Sequence, residues 1–217
     1  MKPDESFSDD FLFPMTSTRL SYTSSPESDG EFCDPETLNN QDNYGNDIIQ
    51  IFAWAGRTDI LNCLETRINV ISENPITMIT PLHVARNTKT LQFLIKDLKA
   101  LEKNFGYGRI QQHLNVRNQV CGSSALHHWA KKGDTDAVRS LLKVMSNAEP
   151  LDEEGLTPIE VAFHAGYYNE ICEAYEIEDI PCSIEREDVY TGPKDYVPLN
   201  EMYNKFMAKC AEKHKEK

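Results

Sequence analysis

Six histidines and six cysteines are the side chains of this 217-residue chain with the most obvious capacity for chemistry. Catalysis by a thiol needs a base within hydrogen-bond reach, and a zinc site needs several Cys or His residues close together. The cysteines are instead scattered from Cys33 to Cys210 without a CxxC pair, which favours reduced thiols over a metal site or a disulfide framework. The glycines of Phe105–Gly108 lack the strand and the Lys-Ser/Thr pair of a phosphate-binding loop. The sequence therefore predicts no enzymatic activity, no metal and no cofactor.

Charge is distributed unevenly along the chain. The formal net charge is −13, and residues 1–43 contain ten acidic residues but only two basic ones. This segment is rich in Ser and Thr and poor in apolar residues, a composition that predicts a disordered acidic arm. Its one apolar island, Phe7 to Phe13, is either an incidental patch or a short motif that docks into a partner groove. No basic stripe is apparent in the sequence, so we expect no binding to nucleic acid.

The body of the chain repeats one pattern four times. Each unit begins with a residue suited to cap a helix N-terminus, and these residues are separated by 33, 44 and 33 positions: Asp47, Thr80, Ser124 and Thr157. A short apolar segment follows, and three units then have a glycine suited to a left-handed helix C-cap: Gly56, Gly133 and Gly166. A second segment with apolar residues three and four apart comes next. A 33-residue period with two short helices per unit is typical of a stacked helical repeat.

These units resemble the ankyrin-repeat family. The resemblance rests on three segments: Thr80-Pro81-Leu82-His83-Val84-Ala85, Gly155-Leu156-Thr157-Pro158-Ile159 and, more loosely, Ser124-Ala125-Leu126-His127 with Gly133-Asp134. It implies an all-α ankyrin solenoid of about four units, in which His83 and His127 make structural hydrogen bonds between repeats. It also implies that the protein binds other proteins through its first helices and loop tips.

The stack departs from regularity in three places. The second unit lacks the glycine after its first helix and is short near Asn87, which predicts a different turn between its two helices. The wider middle separation predicts an insertion over roughly 97–118, formed by a lengthened second helix, a glycine turn and a short extra helix. Bulky rings such as Trp129 replace the small residues of the family at the helix junction, which predicts shifted neighbouring units.

The domain boundaries follow from the same patterns. The acidic arm is predicted over 1–43 and the repeats over 44–175, with units at about 44–76, 77–118, 119–151 and 152–175. An extended linker is predicted over 176–199 and a C-terminal helix over 200–217. The apolar face of that last helix suits either capping of the stack or binding of a separate partner.

The resemblance places the candidate protein-binding residues on outward positions of the first helices and next to them. They are Trp54, Val84, Asn87, His128, Lys131, Lys132, His164 and Tyr167. Aromatic residues dominate interface hot spots, which favours Trp54 and Tyr167 as anchors. Lys131 and Lys132 form the only local basic spot that the sequence shows on the acidic body, so they are either a site for an acidic partner segment or simply solvated.

These observations predict a protein-binding adaptor that engages a cytosolic partner. Its loose repeats resemble the ankyrin proteins that intracellular bacteria or viruses deliver into host cells, which implies a virulence effector that reaches host cytosol by non-classical secretion. The alternative is an inhibitor of the IkappaB type that masks a transcription factor, with the Ser-rich arm as its regulatory segment. We find neither an apolar run of membrane-spanning length nor a classical signal peptide, so a cytoplasmic location is expected, and the sequence leaves the oligomeric state open.

Overall fold

The computed structural model describes residues 40–64 and 70–181. The predicted arm up to residue 39, the island from Phe7 to Phe13, most of the predicted linker and the helix predicted over 200–217 lie outside the described residues. Within the described ranges every regular element is a helix, which confirms the all-α fold.

The helices come in pairs. The first unit contains α1 (Ile48–Ala55) and α2 (Thr58–Leu64), and the second contains α3 (Pro81–Val84) and α4 (Thr88–Phe105). An additional helix, α5 (Tyr107–Leu114), precedes the third unit, which contains α6 (Ala125–Lys132) and α7 (Thr135–Leu142). The fourth unit contains α8 (Pro158–Ala165) and α9 (Tyr168–Ile177).

Each unit packs mainly on its neighbours. First helices contact first helices, as α1 contacts α3 and α6 contacts α8, while α7 lies between α4 and α9. The core between these layers consists of aliphatic side chains that are at most 1% exposed, among them Leu82, Leu94, Leu126, Leu141, Ile159 and Ile171. A two-helix unit has no other place to bury such a face, so the stack is the source of its stability.

The local sequence determines where the first helices begin and end. Asp47, Thr80, Ser124 and Thr157 are the N-caps of α1, α3, α6 and α8, as predicted. The first helices of the first, third and fourth units end at glycines with φ of 69°, 69° and 85°, in the left-handed region that favours glycine: Gly56, Gly133 and Gly166. These predictions are confirmed.

The loops that precede each first helix share a turn built on an Asp or Asn side chain. Oδ1 of Asp42 accepts hydrogen bonds from the N–H groups of Tyr44 and Asn46, both within 2.9 Å. Asn74, Asn118 and Asp152 accept from two backbone N–H groups in the same way. Such side chains replace the backbone partners that an irregular segment lacks. The ordered turn at Asp42 lies within the range predicted for the acidic arm.

The second unit has an unusually short first helix. α3 consists of four residues and ends at Ala85, whose ψ of 127° leaves the helical region. The N–H of Arg86 then donates to the carbonyl of Ala53 in the first unit at 3.0 Å, so the chain crosses to its neighbour instead of continuing the helix. The missing glycine therefore correctly predicted a different inter-helix turn.

The insertion is built as predicted and packs against the stack. α4 runs for 18 residues, Gly106 turns the chain with φ of 79°, and α5 follows. Gln111 of α5 bonds both the carbonyl of Val144 and the N–H of Ser146 at 2.7 Å. At the turn itself, Phe105 and Tyr107 remain 54% and 58% exposed.

Candidate functional site

In the first three units, the side chain three residues after the N-cap forms a hydrogen bond to the next unit. Nε2 of Gln50 donates to the carbonyl of Ile79 at 2.6 Å. Nε2 of His83 lies 3.2 Å from the carbonyl of Ser123, and Nε2 of His127 lies 3.0 Å from that of Leu156. Each acceptor directly precedes the N-cap of the next unit, so the same bond recurs at three junctions.

The other end of each side chain binds its own N-cap. Nδ1 of His83 accepts from the N–H of Thr80 at 3.2 Å, and Nδ1 of His127 accepts from the N–H of Ser124 at 3.1 Å. Because Nδ1 accepts, Nε2 must carry the proton, and the neutral imidazole donates it to the next unit. Burial lowers the pKa of His83 to about 4 and also lowers the pKa of His127. The structural role that the resemblance implied for both histidines is confirmed.

Four of the candidate binding residues occupy one equivalent position. Each lies seven residues after the N-cap of its unit, and together we call them the first-helix row: Trp54, Asn87, Lys131 and His164. Trp54, Lys131 and His164 lie on α1, α6 and α8 and are half-buried. Asn87 is exposed and caps α4, because its Oδ1 accepts from the N–H of Thr90 at 2.9 Å.

The position four residues after the N-cap is buried in two of the four units. Val84 and Val161 occupy it in the second and fourth units and are 3% and 7% exposed. The expectation that Val84 faces outward is therefore corrected, since its side chain is buried. His128 holds the same position in the third unit and is half-buried. Burial lowers its pKa well below the ordinary value, and the charge of Lys132 acts in the same direction.

Two further candidates pack on the stack itself. The ammonium group of Lys132 lies 4.8 Å above the ring of Trp129, a cation–π contact. The ring of Tyr167, 39% exposed, lies against Gly133, where an added Cβ would be 2.5 Å from the ring carbon Cγ. The Lys132 contact lies within α6, whereas the Tyr167 contact joins the fourth unit to the third.

The structure also contains a basic surface that the sequence patterns did not reveal. The exposed residues Lys89, Lys96, Lys99 and Lys103 recur at spacings of seven, three and four along α4, and we call this surface the lysine face. Lys131 and Lys132 are consequently not the only basic spot on the body. The sequence alone does not indicate this surface, because the spacing of the lysines is regular only if α4 is one continuous helix.

Within the described residues, no group of three or more His, Cys, Asp or Glu side chains is arranged to hold a metal ion. Nor does the described part of the chain contain a helix long and apolar enough to cross a membrane.

Paired helices at a 33-residue period, glycine-capped turns and side-chain bonds from unit to unit define a helical-repeat scaffold of the kind that binds proteins. A family model for ankyrin repeats, in three copies, matches residues 86–174, so this part of the chain consists of ankyrin repeats. The match begins after α3, but the bonds made by Gln50 and His83 show that the first two units are built in the same way.

Solved structures agree with this fold. A chain in the crystal structure of the yeast ribosomal protein Rps3 in complex with its chaperone Yar1 is similar with a TM-score of 0.53. The similarity covers 63% of this chain and 94% of that chain at 18% sequence identity, which shows a shared fold alone. Comparison with curated protein sequences finds no match.

Proposed function

We propose that the protein is an adaptor that binds a partner protein along the first-helix row. The observation that supports this proposal is the alignment of Trp54, Asn87, Lys131 and His164 at one position of four successive units. Stacked units bring equivalent positions onto one continuous surface, which an extended partner segment can follow.

The chemistry of the row suggests what the partner presents. Helices pack about 8–10 Å apart, so Trp54 in the first unit and Lys131 in the third are separated by roughly 20 Å. An extended chain covers this distance in about six residues at about 3.3 Å each. The fitting segment has an apolar side chain for Trp54 and, about six residues away, a carboxylate for Lys131 and Lys132.

The test is affinity purification of the full chain beside a Trp54→Ala/Lys131→Glu variant. The matched control is Glu173→Lys/Glu176→Lys, which reverses two exposed charges on the outer helix α9. A partner that is lost from the first variant and kept by the control supports the first-helix row. If both variants retain the same partners as the wild type, the row does not bind them.

Delivery into a host cell is the narrower role that the irregular stack favours, since the one-turn α3 and the insertion depart from regular repeats. A translocation reporter fused to the full chain tests this role, and no transfer into host cytosol counts against it.

The regulatory alternative is an inhibitor of the IkappaB type, and it requires a role for the N-terminal segment. The acidic, Ser-rich residues 1–43 would then control turnover of the protein. Deleting them should lengthen or shorten the half-life under stimulation, and an unchanged half-life counts against this role.

A further inference from the structure

The lysine face is a single row of cations on the outer helix of the second unit. α4 rises about 1.5 Å per residue, so the row from Lys89 to Lys103 is about 21 Å long. Lys89, Lys99 and Lys103 form no ion pair with another described residue. The remaining residue of this stripe, Gln92, donates to Ser140 Oγ of α7 at 3.1 Å and fixes α4 against its neighbour.

This arrangement is opposite to what the overall charge predicts. The chain carries 35 acidic and 22 basic residues, and the outer helix α9 accordingly exposes Glu170, Glu173 and Glu176. On α4, Lys96 and Lys99 are three residues apart and Lys99 and Lys103 are four apart. Like charges at these spacings are neighbours on a helix and destabilise it. A helix face selected for stability alone would alternate the signs of its charges.

We propose that the lysine face is a docking surface for an acidic helical segment of a partner protein. Carboxylates at spacings of three and four residues on such a segment would lie opposite Lys96, Lys99 and Lys103 along two turns. Oppositely charged rows of this kind determine partner choice and register between helices. This surface is separate from the first-helix row, so the adaptor can hold two partners at once.

The surroundings of the face favour protein over lipid or nucleic acid. Helices that bind anionic membranes combine cations with large apolar side chains that enter the bilayer. The exposed side chains between and beside the lysines on α4 are Gln92, Ala100 and Asn104, none of them large and apolar. The exposed ring of Phe105 ends the helix two residues after Lys103, which at about 100° per residue places it on roughly the opposite side of α4 from the lysine face. A nucleic acid binds through many phosphate contacts, and one row of lysines offers few of them. At longer distances the net charge of −13 repels a polyanion.

The experiment uses the immobilised full chain and a phage-displayed library of random 16-residue peptides. Selection on the wild type is combined with counter-selection on Lys99→Glu/Lys103→Glu. We expect enriched peptides with an acidic surplus at spacings of three and four residues. Fluorescence anisotropy of these peptides should show about tenfold weaker binding to the counter-selection variant, and weaker binding to the wild type as salt is raised.

Two controls separate charge on this face from other causes. Lys99→Arg/Lys103→Arg should keep the affinity, and Trp54→Ala/Lys131→Glu should leave it unchanged, which distinguishes this proposal from the first-helix row. The circular dichroism of every variant must match the wild type, as expected for the exposed Lys99 and Lys103 and as a necessary check for the half-buried Trp54 and Lys131.

Several results would overturn the proposal. One is the absence of peptides that prefer the wild type, and another is enrichment of peptides without an acidic surplus. Binding of a polyuridine 20-mer that requires Lys99 and Lys103 would assign the face to nucleic acid. Binding of vesicles of phosphatidylcholine with phosphatidylserine that requires the same lysines would assign it to lipid. A dimer in sedimentation velocity that the double glutamate variant abolishes would assign it to a second copy of the chain.

Discussion

The indole Nε1 of Trp129 donates a hydrogen bond to the backbone carbonyl of Leu82, 47 residues away, at 3.0 Å. In a longer α3, the N–H of Arg86 would bond this carbonyl, but that N–H donates to Ala53 in the first unit. Trp129 therefore supplies the donor that the one-turn helix lacks. Its side chain is 1% exposed.

Replacing Trp129 by Phe should destabilise the protein by about 1–3 kcal/mol, because a buried carbonyl loses its only suitable donor. Trp129→Ala should cost about 3–5 kcal/mol, since it also opens a cavity. Urea unfolding followed by far-ultraviolet circular dichroism measures both. The matched control is Tyr107→Phe, which removes the hydroxyl group from a side chain that is 58% exposed and should change stability by at most about 0.5 kcal/mol. Equal effects of Trp129→Phe and the control would mean that the indole bond contributes nothing.

The hydrogen bond between Trp129 and Leu82 could not be predicted from the sequence, although both features that lead to it could. The missing glycine near Asn87 and the bulky ring at Trp129 were both visible as departures from regular repeats. The contact between them was not visible in the sequence, because only the stacking of units brings the ring of Trp129 and the short helix α3 together. Propensity and capping act within a few residues, whereas this contact depends on packing across 47 residues.

The repeated bond between units predicts which substitutions His127 tolerates. His127→Gln should cost little, because Gln50 already makes the same two bonds, accepting from Asp47 N–H at 3.1 Å and donating to Ile79 at 2.6 Å. His127→Leu should cost about 1–3 kcal/mol, since it leaves the buried N–H of Ser124 without a partner, while the carbonyl of Leu156 keeps the N–H of Asp152 at 3.0 Å. Urea unfolding of the two variants gives the comparison. Equal losses would show that volume, and not hydrogen bonding, matters at this junction.

The buried histidines predict that stability falls with acid. The folded-state pKa of His83 is about 4, below the ordinary value of 6.5, so between these values the unfolded chain binds a proton that the folded chain does not. The contribution of neutral His83 to the free energy of unfolding is therefore complete above pH 6.5. It is lost as the pH falls to about 4, and the loss is at most about 3 kcal/mol for this group. Unfolding midpoints at pH 7, 5.5 and 4.5 measure the slope. His83→Gln should flatten it, and an unchanged slope would assign the acid sensitivity to other groups.

The predictions that failed share a physical cause. Helix caps and the helix–glycine–helix insertion were predictable because each depends on a few adjacent residues. Val84 was predicted to face outward but is 3% exposed, and this burial depends on the packing of the whole stack. The lysine face was missed because its spacing becomes regular only when residues 88–105 form one uninterrupted helix. Burial and surface pattern are properties of the assembled stack, and the sequence of a single unit does not contain them.

Gly133 combines two constraints that substitution can separate. Its φ is 69°, and an added Cβ would lie 2.5 Å from the ring of Tyr167. Gly155 has φ of 80° with no atom within 4 Å of an added Cβ, so Gly155→Ala should cost only backbone strain, about 1–2 kcal/mol. Gly133→Ala should cost about 1–3 kcal/mol more, since the ring must be displaced. In a Tyr167→Ala background this excess should disappear, and urea unfolding of the four-member cycle measures it. An excess that persists without the ring would mean that the backbone, and not Tyr167, excludes a side chain at this turn.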